Sequence, residues 1–239
     1  MNQLEPIASI QSIYRYPVKS MAGEVIERGD LTEFGLSGDR LYAFESAGAP
    51  PGMLRLTSRE RREMLRYQPA LRPDGRVEVR VPTGEQLLID SPAMLAYLTA
   101  HLPDANEIIL TRASTPQTDV RPLSIISAQT VRQLSTEMGQ EIDPRRFRAN
   151  LYVDFPDTPF GEDSLVGRTL RIGSTATICI RERDPRCRFI TYDPEDPLLD
   201  PLFSLMKFLD RSHQGRAGVY ATIQKPGPIE AGDVIRFAE

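Results

Sequence analysis

Apolar and polar residues alternate along 7–16, Ile-Ala-Ser-Ile-Gln-Ser-Ile-Tyr-Arg-Tyr. That is the period of a half-buried strand, and Pro17 ends it. The same reading predicts short strands over 24–31 and 40–45, parted by the Phe-Gly-Leu-Ser-Gly turn at 34–38. A Gly/Pro-rich loop follows at 47–52, then a short helix over 58–66 with Ser58 as its N-cap. Residues 76–81 and 86–89 flank Pro-Thr-Gly-Glu and read as a hairpin. A helix is expected over 92–102, with Ser91 as N-cap and Pro92 at the first helical position, where its missing donor costs least. A strand over 106–111 leads into a polar, irregular run at 113–122.

Downstream of that run a helix is expected over 128–138, capped by Ser127 and stopped by Gly139. Strands follow over 148–153, 170–172 and 176–181, the last two turning at Gly173-Ser174-Thr175. A helix over 201–209 and strands over 218–224 and 234–237, bridged by Pro226-Gly227-Pro228, complete the pattern. Strands outnumber helices without regular alternation, so the expected fold is mainly β with a few helices, of the α+β class. The irregular run marks the expected seam between a domain at 1–115 and one at 116–239.

Composition narrows the function classes. The 239 residues are 40% hydrophobic and 26% charged, with a net charge of -4, which is ordinary for a soluble globular protein and carries no broad basic footprint for nucleic acid. No apolar run approaches the roughly 18 to 20 residues of a membrane span, and the start of the chain lacks a basic-then-apolar secretory signal. With only Cys179 and Cys187 there is no disulfide framework, and the expected compartment is the cytoplasm. His101 and His213 without any Cys-x-x-Cys pair offer no structural zinc or iron–sulfur site. Neither GxGxxG nor GxxxxGK[ST] is present, which disfavours a dinucleotide fold or a P-loop.

Candidate chemistry centres on 181–194, Arg-Glu-Arg-Asp-Pro-Arg-Cys-Arg-Phe-Ile-Thr-Tyr-Asp-Pro. Cys187 lies between Arg186 and Arg188, and neighbouring cations favour the thiolate, the form that ligates metals or attacks electrophiles. The competing reading is a buried, inert cysteine; Cys179, on a predicted strand, is read that way. Residues 144–150, Pro-Arg-Arg-Phe-Arg-Ala-Asn, put Arg146, Arg148 and Asn150 at one strand parity, hence on one face, where they suit a phosphate or a pterin ring. Tyr-Pro-Val-Lys-Ser at 16–20 and Gly-Leu-Ser-Gly-Asp-Arg at 35–40 likewise set a basic residue beside small hydrogen-bonding ones. Ser124 leads into the Ser127-capped helix, whose N-terminus could face an anion. Thr191 either reaches a ligand or serves the turn at Asp193-Pro194.

Taken together, Tyr-Pro-Val-Lys-Ser, Gly-x-x-Gly-Asp-Arg, Arg-Arg-Phe-Arg-Ala-Asn and Arg-Cys-Arg-Phe-Ile-Thr-Tyr-Asp-Pro resemble the MOSC family, over about residues 7 to 237. The family is related to the C-terminal domain of molybdenum cofactor sulfurase and includes the mitochondrial amidoxime-reducing component. The resemblance implies an N-terminal β-barrel-like domain followed by a MOSC β-barrel domain, with molybdenum cofactor (molybdopterin) between them. Carried over, Cys187 is the molybdenum ligand and catalytic residue. Lys19, Ser20, Arg40, Arg146, Arg148 and Asn150 grip the pyranopterin and its phosphate, with Ser124 and Thr191 as further candidates. The implied reaction reduces a small N-hydroxylated substrate. Its electrons come from a separate donor protein of ferredoxin, flavoprotein or cytochrome type, since the chain has no ferredoxin-like cysteine cluster. The alternative is a sulfur-carrier or cofactor-handling protein with a persulfide on Cys187.

Overall fold

In the computed structural model, which describes residues 5–46, 56–59, 61–102, 108–156 and 158–238, seven strands among the described residues close into a barrel. Around the barrel they run Leu151–Asp154, Leu123–Ser127, Arg216–Lys225, Ala176–Pro185, Thr169–Ile172, Val234–Phe237 and Ala8–Arg15, and the last pairs again with the first. Every pairing is antiparallel except that between Leu123–Ser127 and Leu151–Asp154. Closure removes the free edges that an open sheet would expose. Alternate residues turn inward, and Ile10, Ile125, Leu151, Ile178, Val219 and Ile235 fill one continuous core.

The alternating 7–16 pattern thus supplies a barrel strand far in sequence from most of its neighbours. Residues 18–108 build a second apolar cluster around Val18, Phe44, Met64, Val79, Met94 and Leu98. It is covered by the sheet of Gln68–Leu71, Val77–Arg80 and Gln86–Leu88, by the pair Tyr42–Ser46 and Ile108–Arg112, and by α1, Pro92–His101. A third cluster forms outside the barrel where α2 (Ala128–Met138) and α3 (Phe203–His213) pack around Phe147, Ile190 and Tyr152.

Capping signals place the helices as expected. The Ser91 hydroxyl accepts from the Met94 N–H at 3.1 Å, and that of Ser127 from the Thr130 N–H at 3.0 Å. Gly139 closes α2 in the left-handed region at φ 65°. Other expectations are corrected. The 58–66 helix is a 3-10 turn over Arg62–Arg66 headed by Arg61, and Ser58 is buried, with a hydroxyl that finds no partner among the described residues. The 24–31 strand is two, Glu24–Ile26 and Arg28–Thr32, the latter pairing with Gly227–Glu230 where a turn was expected. The last helix runs on from 203 to 213. The 47–52 loop lies outside the described residues. No helix among the described residues is long and apolar enough to cross a membrane.

One glycine is required by this geometry. Gly218, in the Arg216–Lys225 strand, has φ 76°, and a Cβ there would lie 2.6 Å from the Ile125 carbonyl oxygen, a backbone atom of the neighbouring strand. Gly218→Ala combines left-handed strain, about 1–3 kcal/mol, with that clash. Urea unfolding should show a stability loss of at least this size; an unchanged midpoint would mean the barrel relaxes freely here.

Candidate functional site

Strand ends at one mouth of the barrel meet the segment that leaves its first strand. Ser124, Asp184, Cys187 and Tyr220 come from the barrel side, and Lys19, Ser20 and Arg40 from the N-terminal side. With Arg146, Arg148 and Asn150 they line a single cleft of about 120 Å³. All the predicted site residues therefore converge except Thr191. That residue is fully buried, and its hydroxyl donates to the Arg188 carbonyl at 2.7 Å within its own 3-10 turn. Its side chain serves the turn, not the cleft.

The parity argument for Arg146, Arg148 and Asn150 is corrected. These residues are not on a strand. Asp143 caps a 3-10 turn, Pro144–Phe147, by accepting from the Arg145 N–H at 2.8 Å, and the strand begins only at Leu151. What brings the residues together is the exit from that turn, where Arg148 sits in the left-handed region at φ 50°. Ser20 (φ 69°) and Arg40 (φ 48°) share this conformation. Three side chains of one cleft thus stand on backbone that non-glycine residues adopt at a cost, a pattern that gathers at functional sites.

Tyr16 organises the cations. Its N–H donates to Asp39 Oδ1 at 2.7 Å, its carbonyl accepts from the Arg40 N–H at 2.6 Å, and its hydroxyl donates to the Ala149 carbonyl at 3.2 Å. The guanidiniums of Arg40 and Arg148 lie 4.6 and 4.4 Å from the centre of its ring. Burial pushes the phenol up to about 12, against the pull of both arginines, so it stays neutral. Burial works against the Arg40 charge too, but the fully buried Asp39 carboxylate pairs with it and raises its pKa overall. Arg148 has no carboxylate partner among the described residues. It is held between the rings of Tyr16 and Phe189, the latter 5.2 Å away, and burial pushes it down to about 10. At neutral pH it remains a half-buried cation with no ion-pair partner among the described residues, Asp39 acting on it only at a distance. Arg146 donates to the Thr191 carbonyl at 3.1 Å and to Asp193 at 2.7 Å, while its buried Nε has no partner.

Cys187 is exposed and free, and heads the 3-10 turn Arg188–Thr191. Its flanking arginines are engaged elsewhere, contrary to the expectation from their spacing. Arg186 turns inward, donating to the Ala217 and Phe147 carbonyls at 2.7 and 2.8 Å and pairing with Asp184 at 2.9 Å. Arg188 lies over the rings of Tyr192 and Phe203. Burial holds the Asp184 carboxyl above its ordinary value, against Arg186, Tyr220 and the Ser124 hydroxyl, which donates to it at 2.9 Å. Asn150 is spent on structure, donating to the Tyr14 carbonyl at 3.2 Å and accepting from the Ser124 N–H at 3.3 Å. Lys19 donates to the Gln117 carbonyl at 3.0 Å and to Asp119, which also pairs with Arg59 at 2.6 Å. Cys179 is buried on its barrel strand, where its sulfur accepts from Arg181 at 3.6 Å.

Sequence reasoning missed Asp39, Asp119, Asp184, Tyr16, Phe189 and Tyr220 as parts of this site. Asp39 was within reach, since it precedes Arg40 in a turn that must be pinned. Phe189 and Tyr220 carry no local signal. Among the described residues no group of three or more His, Cys, Asp and Glu could hold a metal ion, and Cys187 stands in the cleft as a single thiol.

Two family models match the chain. The model described as MOSC domain matches residues 112–236, and that described as MOSC N-terminal beta barrel domain matches residues 7–119. No curated protein sequence matches at a significant level. Among solved structures, the YuaD protein from Bacillus subtilis is similar over 96% of this chain and 94% of its own, at 18% identity and a TM-score of 0.52. YiiM from Escherichia coli is similar over 94% of this chain and 70% of its own, at 14% identity and a TM-score of 0.44. At its level of identity the likeness to YuaD speaks for the fold alone.

Proposed function

The chain belongs to the MOSC family, and from that premise we propose that it is a cytoplasmic oxidoreductase that holds molybdenum cofactor in the cleft beside Cys187. We propose further that it reduces small N-hydroxylated compounds with electrons from a separate donor protein. The observation that carries this reading is Arg148: a half-buried cation, held between two rings without a carboxylate partner among the described residues, lining the same cleft as an exposed thiol. Such a charge is costly unless an anionic ligand completes it.

The donor set fits the group. Cys187 offers soft sulfur to a metal already bound by sulfur, and Lys19, Arg40, Arg146 and Arg148 offer guanidinium and ammonium donors to a phosphate-bearing pterin. Asp119, drawn in by Lys19 and Arg59, is a carboxylate at the same cleft; in this reading it neutralises those cations until the ligand's phosphate replaces it. Ser124 and Asn150 hold the cleft wall. Once bound, the cofactor supplies the two-electron redox chemistry that turns N–OH into N–H with release of water. The protein's residues bind, orient and neutralise.

Molybdenum per chain, measured after expression in a host that makes the cofactor, tests the proposal. Wild type should contain the metal, and Cys187→Ala should lose it or hold it loosely. Wild type without molybdenum in such a host would sink the cofactor reading. A loaded protein inert towards N-hydroxylated compounds with an artificial electron donor would sink the reaction alone. The exposure of Cys187 favours a second reading, a persulfide carrier. It predicts a sulfur adduct by mass spectrometry after treatment with a cysteine desulfurase, in protein that carries no molybdenum.

A further inference from the structure

A second, larger cleft of about 730 Å³ adjoins the first, and Arg146, Arg148 and Phe189 line both. Its opposite wall comes from the Gln68–Leu71, Val77–Arg80 and Gln86–Leu88 sheet and the turn before it, which contribute Arg66 and Arg80. The charges that line it are unequally matched. Glu24 pairs with Arg15 at 2.8 Å, Glu195 with Arg145 at 2.6 Å, and Glu78 with Arg72. Arg66, Arg80 and Arg148 have no carboxylate partner among the described residues. Each lining carboxylate is neutralised while three lining cations are not, so the cleft presents net positive charge.

Its remaining surface is aromatic. Tyr14, Tyr16, Phe189 and Tyr192 line it, and the Arg148 guanidinium lies over two of those rings, Tyr16 and Phe189. Alternating ring and guanidinium planes favour a flat ligand that stacks, and guanidiniums without partners favour a carboxylate or phosphate that accepts two hydrogen bonds at once. The volume is that of a small-molecule site.

We infer that this larger cleft is the substrate half of the site and that it takes aromatic organic anions, a planar ring bearing a carboxylate or phosphate. The inference rests on the cofactor reading for what happens to the ligand, but not for its binding. Arg148 serves both halves, so an anion in the large cleft is held against the wall behind which Cys187 lies.

The test is ligand-observed NMR titration of the purified chain with benzoate, phenyl phosphate and the neutral benzamide, alongside molybdenum content. Benzoate or phenyl phosphate should bind at least tenfold more tightly than benzamide. The double variant Arg66→Gln/Arg80→Gln should lose at least tenfold in anion affinity. Both residues are exposed and lie outside the smaller cleft, so thermal midpoint and molybdenum content should stay as in wild type. Benzamide binding as tightly as benzoate, or a double variant that binds benzoate like wild type, would overturn the anion specificity. Anion-selective binding in wild-type protein that never acquires molybdenum would overturn the cofactor reading and, with it, the role of this cleft as a substrate half.

Discussion

The Arg148→Met protein should melt no lower than wild type and yet hold the cofactor far more weakly. Burial lowers the Arg148 pKa from its ordinary value to about 10, so the folded protein binds this proton less well than the unfolded chain does. The sign follows from linkage. The charge costs stability at every pH below about 10, and the cost fades only as pH climbs from there toward the ordinary guanidinium range. Met keeps the hydrophobic stem between Tyr16 and Phe189 and removes the charge, which relieves that cost. What is lost is a charge-assisted contact to an anion, worth about 1.5–3 kcal/mol, or roughly 10- to 150-fold in affinity. Thermal melting and molybdenum content measured on the same preparations check both halves. A fall of several degrees would make Arg148 a structural residue and remove the main support for an anionic ligand.

Asp39→Ala should be the most damaging substitution at the site. Asp39 is fully buried, pairs with Arg40 and accepts from the Tyr16 N–H. Without it, Arg40 and Arg148 face the same phenol ring as two half-buried cations with no carboxylate beside them, and a backbone donor is orphaned. Breaking a buried pair by deleting one partner costs about 3–5 kcal/mol, on the order of 10 °C in melting temperature for a chain this long. Asp39→Asn, which keeps an acceptor for Tyr16, should lose less, and Asp39→Ala/Arg40→Met should recover much of the loss because Arg40 no longer adds a second unmatched charge beside Arg148. A double variant no better than Asp39→Ala would show that the pinned turn, not the charge, matters.

Comparing these two residues with the sequence shows what was legible. Helices written in local chemistry were readable, because Ser91, Pro92, Ser127 and Gly139 act on backbone groups within a turn of themselves. The same logic applied to Asp143-Pro144 would have found the 3-10 turn that displaces the strand start to Leu151; the signal was present, and the alternation of Arg146, Arg148 and Asn150 was read instead. The cleft membership of Lys19, Arg40, Arg148 and Cys187 was legible through motif resemblance. Their energetics were not. That Arg40 is matched by Asp39 while Arg148 goes unmatched depends on a ring, Tyr16, lying between side chains more than a hundred positions apart. The supposed company of Cys187 failed for a similar reason. Adjacent residues in an extended segment diverge, and Arg186 found its partners in Asp184 and in the carbonyls of Phe147 and Ala217.

The closed barrel has a consequence for how the chain reaches its native state. Ala8 pairs with Ile235 and Ser9 with Val234, so the first half of this strand must wait for a partner made more than two hundred residues later, while its second half pairs locally with Glu24–Ile26. Its third neighbour, Leu151–Asp154, arrives midway. The C-terminal half cannot seal its own core during synthesis, and contacts so distant in sequence slow folding. Within Ala-Ser-Ile-Gln-Ser-Ile-Tyr-Arg, the part before Ile13, which Glu24–Ile26 does not cover, is an apolar edge that stays open until those partners arrive. Separating the halves near residues 112–119 would leave two raw strand edges on the C-terminal fragment, and supplying the 8–15 segment as a free peptide is the natural way to close them.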